Sequence, residues 1–160
     1  MDLKNKIESI LETVYDPEVP VLTVLDMGII RDISIVDDVS VIKITPTYTG
    51  CPAMQMIEMN IKAAMDAEGI NCRIETVLSP AWTTDWMTEK GKEKLKNYGI
   101  APPYKHARIS IDLFQEEDKI QCPRCDSYNT LKISEFGSTA CKALFRCIDC
   151  KEPFDYFKCH

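Results

Sequence analysis

The chain has 160 residues, 45% of them apolar and 28% charged, the balance of a globular protein that at this length can bury roughly two-thirds of its unfolded surface. No apolar run approaches the roughly 20 residues needed to span a bilayer, and Met1-Asp2-Leu3-Lys4-Asn5-Lys6 lacks the hydrophobic stretch of a signal peptide, so a cytoplasmic location without a membrane partner is expected. The net charge of −6, from 19 basic and 25 acidic residues, argues against bulk attraction to a phosphate backbone.

Leu3, Ile7, Ile10, Leu11 and Val14 fall on one face of an amphipathic helix. Asp16-Pro17-Glu18-Val19-Pro20 stops it, because proline disfavours helical geometry in the residue before it. Two β-rich runs follow, residues 29–36 and 39–45, separated only by Asp37-Asp38, which predicts a hairpin. Thr49-Gly50-Cys51-Pro52 opens a second helix, with Pro52 at the first helical position, where its missing N–H costs nothing. Met54, Ile57, Ile61, Ala64 and Met65 form its buried stripe, and Gly69 stops it. A third strand is predicted over 71–78, with Cys72, Ile74, Thr76 and Leu78 on one face, and a third helix over 84–98, ended by Gly99-Ile100-Ala101-Pro102-Pro103. Strand, helix and strand in succession indicate a crossover. The expected fold is α+β: a small mixed three-stranded sheet with helices, followed by a β-rich ribbon module. A boundary between 103 and 104 gives a first domain of residues 1–103 and a second of 104–160, in which 107–114 is strand-like and 115–118 an acidic turn.

Cysteine is the informative residue. Six of the eight lie from Cys122 onward, and in a reducing compartment such a cluster points to metal or redox chemistry before a disulfide framework. Cys122-Pro123-Arg124-Cys125 and Cys147-Ile148-Asp149-Cys150 form two C-x2-C knuckles with 21 residues between them. Four thiolates converging on one ion make the closed tetrahedral site of structural Zn²⁺; iron in four-thiolate geometry uses the same ligands. Residues 128–136 and 141–146, joined through Gly137-Ser138, are the expected strands of a zinc ribbon. A module of about 40 residues needs such a staple. Cys141 is expected in the ribbon core, and Cys159-His160 at the chain end is left outside the metal set.

Cys51, expected as the N-cap of the second helix, is the other chemically interesting residue. The helix dipole and free N–H groups favour an anion there, so a thiolate could act as a nucleophile or a soft-metal ligand. A half-buried loop cysteine is the competing reading. No catalytic constellation accompanies it. The histidines are only His106 and His160, and no G-x-G-x-x-G or P-loop occurs. Asp16, Glu18 and Asp26 read as turn and cap residues, the lysines at 90, 92, 94 and 96 as a solvated helix face, and Trp82 and Trp86 as core or interface anchors. The residues alone point away from a self-sufficient enzyme.

Asp16-Pro17-Glu18-Val19-Pro20, Leu25-Asp26-Met27-Gly28-Ile29-Ile30 and Thr47-Tyr48-Thr49-Gly50-Cys51-Pro52-Ala53 together resemble the signature of the SufT-like iron–sulfur assembly domain, over about the first hundred residues. Pro80-Ala81-Trp82-Thr83-Thr84-Asp85-Trp86-Met87 and the tail from Cys122 to His160, including Phe136-Gly137-Ser138-Thr139-Ala140-Cys141-Lys142-Ala143-Leu144, are similar to the phenylacetate-degradation branch that carries a C-terminal zinc ribbon. The resemblance implies a non-catalytic accessory role in the phenylacetyl-CoA ring epoxidase system, assisting iron–sulfur or di-iron maturation of its oxygenase or reductase component. It makes Cys51 the reactive, cluster-handling residue, with Fe or an Fe–S cluster held there transiently, and it leaves roles open for Cys141, Cys159 and His160.

Charge separates this reading from a zinc-ribbon module that binds nucleic acid or protein with no maturation role. Residues 119–160 carry seven basic and five acidic side chains, +2, against 12 and 20, −8, in the first 118. Four thiolates around Zn²⁺ add −2 and leave the ribbon near neutral, without the basic stripe of a nucleic-acid module. Methionine- and tryptophan-bearing surfaces would permit a homo-oligomer.

Overall fold

The computed structural model describes residues 2–103 and 120–158. The chain forms two compact units, Met1–Gly91 and Lys92–His160. In the first, helix α1 (Leu3–Leu11) buries Ile7, Ile10 and Leu11, and the stripe continues to buried Val14 past the helix end, while Leu3 stays exposed. Strands β1 (Ile30–Val36) and β2 (Val39–Ile44) pair antiparallel with Val36 opposite Val39. Asp37 and Asp38 both take positive φ, 49° and 62°, which the primed turn of a two-residue hairpin requires and which aspartate tolerates better than bulkier residues.

Helix α2 (Ala53–Ala67) buries Ala53, Ile57, Ile61 and Met65. It ends in a Schellman motif: Gly69 at φ 67° donates to the Asp66 carbonyl and Ile70 to that of Met65. Strand β3 (Cys72–Thr76) then pairs parallel with β2. The order β1-β2-β3, with one antiparallel and one parallel ladder, is the mixed three-stranded sheet that the pattern of elements predicts. Helix α2 packs on both α1 and β3, and β2, central in the sheet, is the most buried of its strands. β3 is shorter than expected. Leu78 lies outside it and is exposed, and Cys72 is half-buried on an edge strand instead of in the core.

The predicted third helix is two elements. A 3-10 turn spans Thr84–Trp86, Met87 is extended, and α3 covers Glu89–Tyr98. The break has a tertiary cause. Thr88 N–H donates to the Asp26 carbonyl (2.9 Å) and its hydroxyl to the Asp26 carboxylate (3.2 Å), while the same hydroxyl accepts from Gly91 N–H (2.9 Å) as the cap of α3.

The second unit holds β4 (Ile100–Ala101), β5 (Thr130–Ser134), β6 (Lys142–Cys147) and β7 (Pro153–Phe157). They form a sheet in the order β4-β7-β6-β5. The β5–β6 hairpin is the one expected from the sequence. β7, antiparallel to β6, and β4, parallel to β7, go beyond it. Ile100 and Ala101 complete the ribbon sheet, and the two compact units part within α3, between Gly91 and Lys92. Ala143, Phe145, Cys147 and Phe154 form the ribbon core with Ala101, Ile120 and Cys122. Phe145 stacks on Phe154 at 5.9 Å and meets Tyr156 edge-on at 5.8 Å. The expected strand over 107–114, the turn over 115–118, His106, Cys159 and His160 lie outside the described residues.

Candidate functional sites: a four-thiol cluster and a cysteine at a helix mouth

The two knuckles meet. The sulfurs of Cys122, Cys125, Cys147 and Cys150 all lie within 4.8 Å of one another, with Cys122–Cys150 at 3.8 Å and Cys125–Cys147 at 3.5 Å. Tetrahedral Zn–S bonds of about 2.3 Å place sulfurs about 3.8 Å apart, so the donor set fits one ion of that kind. Each knuckle closes in the same way. Asp126, after Cys125, and Lys151, after Cys150, both take left-handed φ, 60° and 67°. Asp126 N–H returns to the Cys122 carbonyl (3.0 Å), and Cys150 N–H points at the Cys147 sulfur (3.5 Å).

Electrostatics favour a cation between these sulfurs once they are ionised. The Cys150 N–H, aided by that of Asp149 and by the Cys125 thiol, holds Cys147 down at about 7. At Cys125 the Ser127 N–H favours the thiolate, but lost solvation and the facing sulfurs of Cys147, Cys150 and Cys122 outweigh it and push the group up to about 12. Four negative sulfurs at this spacing do not coexist without an ion between them.

A polar brace that the sequence reading did not identify ties the knuckles together. Asp149 accepts from the Ser127 hydroxyl and from Asn129 Nδ2 (2.9 Å), and these bonds, Ser127 first, hold its carboxyl below its ordinary range. Asn129 N–H donates back to Ser127 Oγ (3.0 Å), and Ile148 N–H to the Asn129 carbonyl (2.8 Å). The available sequence signal was Ser-x-Asn just after one knuckle and Asp inside the other. Cys141 is buried in the ribbon, its sulfur 3.0 Å from the Thr139 hydroxyl, as expected of a core residue, although the strand begins one residue later at Lys142.

Cys51 belongs to the first unit and the four-thiol set to the second. The hydrogen-bonded helix begins at Ala53 with Pro52 as its cap, so Cys51, expected as the N-cap, lies one residue before it. The reason is local: its N–H donates to the Tyr48 carbonyl and its carbonyl accepts from Met54 N–H, both at 3.3 Å. Such i,i+3 turns precede the first α-type bond. Cys51 is half-buried, and among the described residues its sulfur has no hydrogen-bond partner. Gly50 before it has φ 78° and no atom within 4 Å of where a Cβ would stand, so the loop is open on that side. Burial first, and then Asp66, push the Cys72 thiol above its ordinary range.

The carboxylates near the first hairpin are structural, as expected. Asp16 accepts from the N–H groups of Glu18 (2.7 Å) and Val19 (2.8 Å), and Asp26 from Thr23 N–H (3.2 Å); both are buried. Trp82 is buried with its indole N–H on the Met27 carbonyl (2.8 Å), and the Arg31 guanidinium lies 3.5 Å over the Trp86 ring.

Residues 4–75 match the iron–sulfur cluster assembly protein family and residues 107–158 the PaaD zinc beta ribbon domain. An Escherichia coli (strain K12) protein, named as one component of a "Putative 1,2-phenylacetyl-CoA epoxidase", is 47% identical over 156 residues, covering 97% of this chain and 92% of that protein. The chain belongs to the PaaD family. Its assembly portion also resembles proteins without the ribbon. A Porphyromonas gingivalis (strain ATCC BAA-308 / W83) protein named "Fe-S protein maturation auxiliary factor" is 30% identical over 100 residues, covering 59% of this chain and 92% of that one. The crystal structure of a DUF59 domain from Bacillus anthracis superposes with a TM-score of 0.53 at 26% identity, over 57% of this chain and 89% of that one. The family membership expected from the motifs is thereby shown, and so is the α+β fold with a ribbon.

Proposed function

We propose that this PaaD-family chain is an accessory maturation factor of the phenylacetyl-CoA ring epoxidase system, with no turnover of its own. Residues 1–103 act as the assembly domain, its end lending the short strand Ile100–Ala101 to the ribbon sheet, and 104–160 act as a docking ribbon. In the ribbon, Cys122, Cys125, Cys147 and Cys150 hold one structural Zn²⁺, which links the knuckles and supplies folding free energy to a small β module. Iron or an iron–sulfur cluster is cargo, held transiently by the Cys51 thiolate and passed to the oxygenase or reductase component in the cytoplasm. The observation that carries this reading is Cys51 itself: half-buried at the mouth of α2, without a hydrogen-bond partner among the described residues, and inside the segment that matches the assembly family. A soft donor on an open loop is suited to ligand exchange, which a four-thiolate closed site resists.

The test is the iron content and epoxidase activity of the complex purified from cells carrying wild-type, Cys51→Ala or ribbon-disrupted chain. Depleted iron with Cys51→Ala, while the chain stays folded, is the expected result. Disrupting the ribbon should weaken association with the client. Full metallation with Cys51→Ala rejects the maturation role and leaves a structural component of the complex.

A further inference from the structure

An open cleft of about 290 Å³ runs between α1 and the outer side of β1. One wall is the α1 row Lys4, Glu8 and the C-cap Glu12, four residues apart and all exposed; the other is Ile30–Ile33 of β1. β1 ends the sheet order β1-β2-β3 and pairs in regular register from Asp32 onward, after an irregularity between Ile30 and Asp32, so from Asp32 on alternate N–H and C=O groups point away from β2, a template for one more strand. Two wall charges are already engaged: Arg31 over the Trp86 ring and Asp32 at 3.9 Å from Lys43. Lys4, Glu8 and Glu12 make no ion pair among the described residues.

We infer that this groove takes an extended segment of a partner protein, which adds to the β1 edge and carries the alternation acidic-x-basic-x-basic. Spacing and charge select that occupant. Four residues of helix rise about 6 Å, and two residues of strand about 6.6 Å, so every second side chain of an added strand meets successive members of the α1 row. An acidic residue faces Lys4, and basic residues face Glu8 and Glu12. Intervening apolar residues reach half-buried Leu25 and Ile33 at the groove floor. Main-chain bonds supply affinity and the α1 row supplies selectivity. The inference is independent of Cys51, since it involves no metal and lies on the sheet edge.

The experiment titrates the full chain, followed by amide NMR, with the soluble peptide Thr-Asp-Val-Lys-Val-Lys-Thr and with its reverse sequence, which covers both strand directions. Saturable shifts at Ile30–Ile33 and slowed amide exchange along β1 are expected for at least one of them. A peptide with Asp and Lys exchanged should bind at least tenfold more weakly. Glu8→Lys/Glu12→Lys, on an exposed helix face, should reverse that preference without changing the circular dichroism. The inference is overturned if neither peptide perturbs β1, or if the double variant keeps the original preference. It is equally overturned if the β1 shifts depend on protein concentration without peptide, which would make a second copy the occupant.

Discussion

Gly28 sits in the Leu25-Asp26-Met27-Gly28 loop at φ 70°, and a Cβ built on it would stand 2.0 Å from the Trp86 carbonyl oxygen and 2.6 Å from its carbon. Replacing it with alanine therefore has two effects. Left-handed geometry costs a non-glycine residue about 1–2 kcal/mol, and forcing backbone apart in a packed region typically adds about 1–3 kcal/mol. Separation of that contact also endangers the neighbouring Trp82–Met27 bond of 2.8 Å, worth about 1 kcal/mol. Gly69 supplies the control: its φ is 67°, and nothing lies within 4 Å of its Cβ position. Gly69→Ala thus carries the conformational cost without the clash, and the unfolded-state effect of Gly→Ala is common to both and cancels. The expected difference in unfolding free energy is about 2 kcal/mol or more, a midpoint shift of about 1 M urea for a unit of this size. Trp82 and Trp86 are the chain's two tryptophans and both lie in the first unit, so tryptophan fluorescence of the full chain reads that unit directly. Equal midpoints for the two variants would refute the argument that close approach of the 82–88 segment, and not φ alone, fixes glycine at position 28.

Cys125→Ser, or removal of metal by a strong chelator, should melt the ribbon while tryptophan fluorescence stays native; native ribbon amide dispersion in a metal-stripped sample would contradict this. Competitive alkylation near neutral pH should label Cys51 before Cys72, because burial and Asp66 raise the Cys72 thiol; its reactive thiolate grows only as pH climbs past the ordinary thiol range, and equal rates at neutral pH would count against the contrast. Thr88→Ala removes the α3 cap and the Asp26 contact together, and should destabilise the chain by about 1–2 kcal/mol in urea melts.

Elements with one clear stripe are readable from sequence. α1, α2 and the β1–β2 hairpin follow from period and punctuation, because burial on one face and the local turn residues agree. α3 is different. Its true start depends on Asp26, 62 positions away from Thr88, and no window along the chain contains that bond. β4 is two residues long, and its strand character exists only through pairing with β7. β7 opens on Pro153 straight after a knuckle, which disguises it as loop. The four-thiol set is legible because C-x2-C spacing is local geometry, whereas the Ser127–Asn129–Asp149 brace spans both knuckles and becomes visible only when they are folded together.

The two sulfur sites differ in a way that suits the different roles proposed for them. Around the four-thiol set the neighbouring polar groups are committed: left-handed residues close each knuckle, N–H groups point at sulfur, and a carboxylate is shared between two donors. Such a site is rigid, and an ion held there would exchange slowly, because releasing one ligand strains the rest. Cys51 has none of this. It is positioned by two main-chain turns, next to a glycine with open space beside it, and the buried bonds that stabilise its domain, at Asp16, Asp26 and Trp82, belong to other loops. Cys51→Ala should therefore leave the unfolding free energy of the first unit, from urea melts, within about 0.5 kcal/mol of wild type, while removing the thiol at that helix mouth. A large destabilisation would show that the cysteine is a packing residue, and any loss of client iron in that variant would then be ascribed to unfolding.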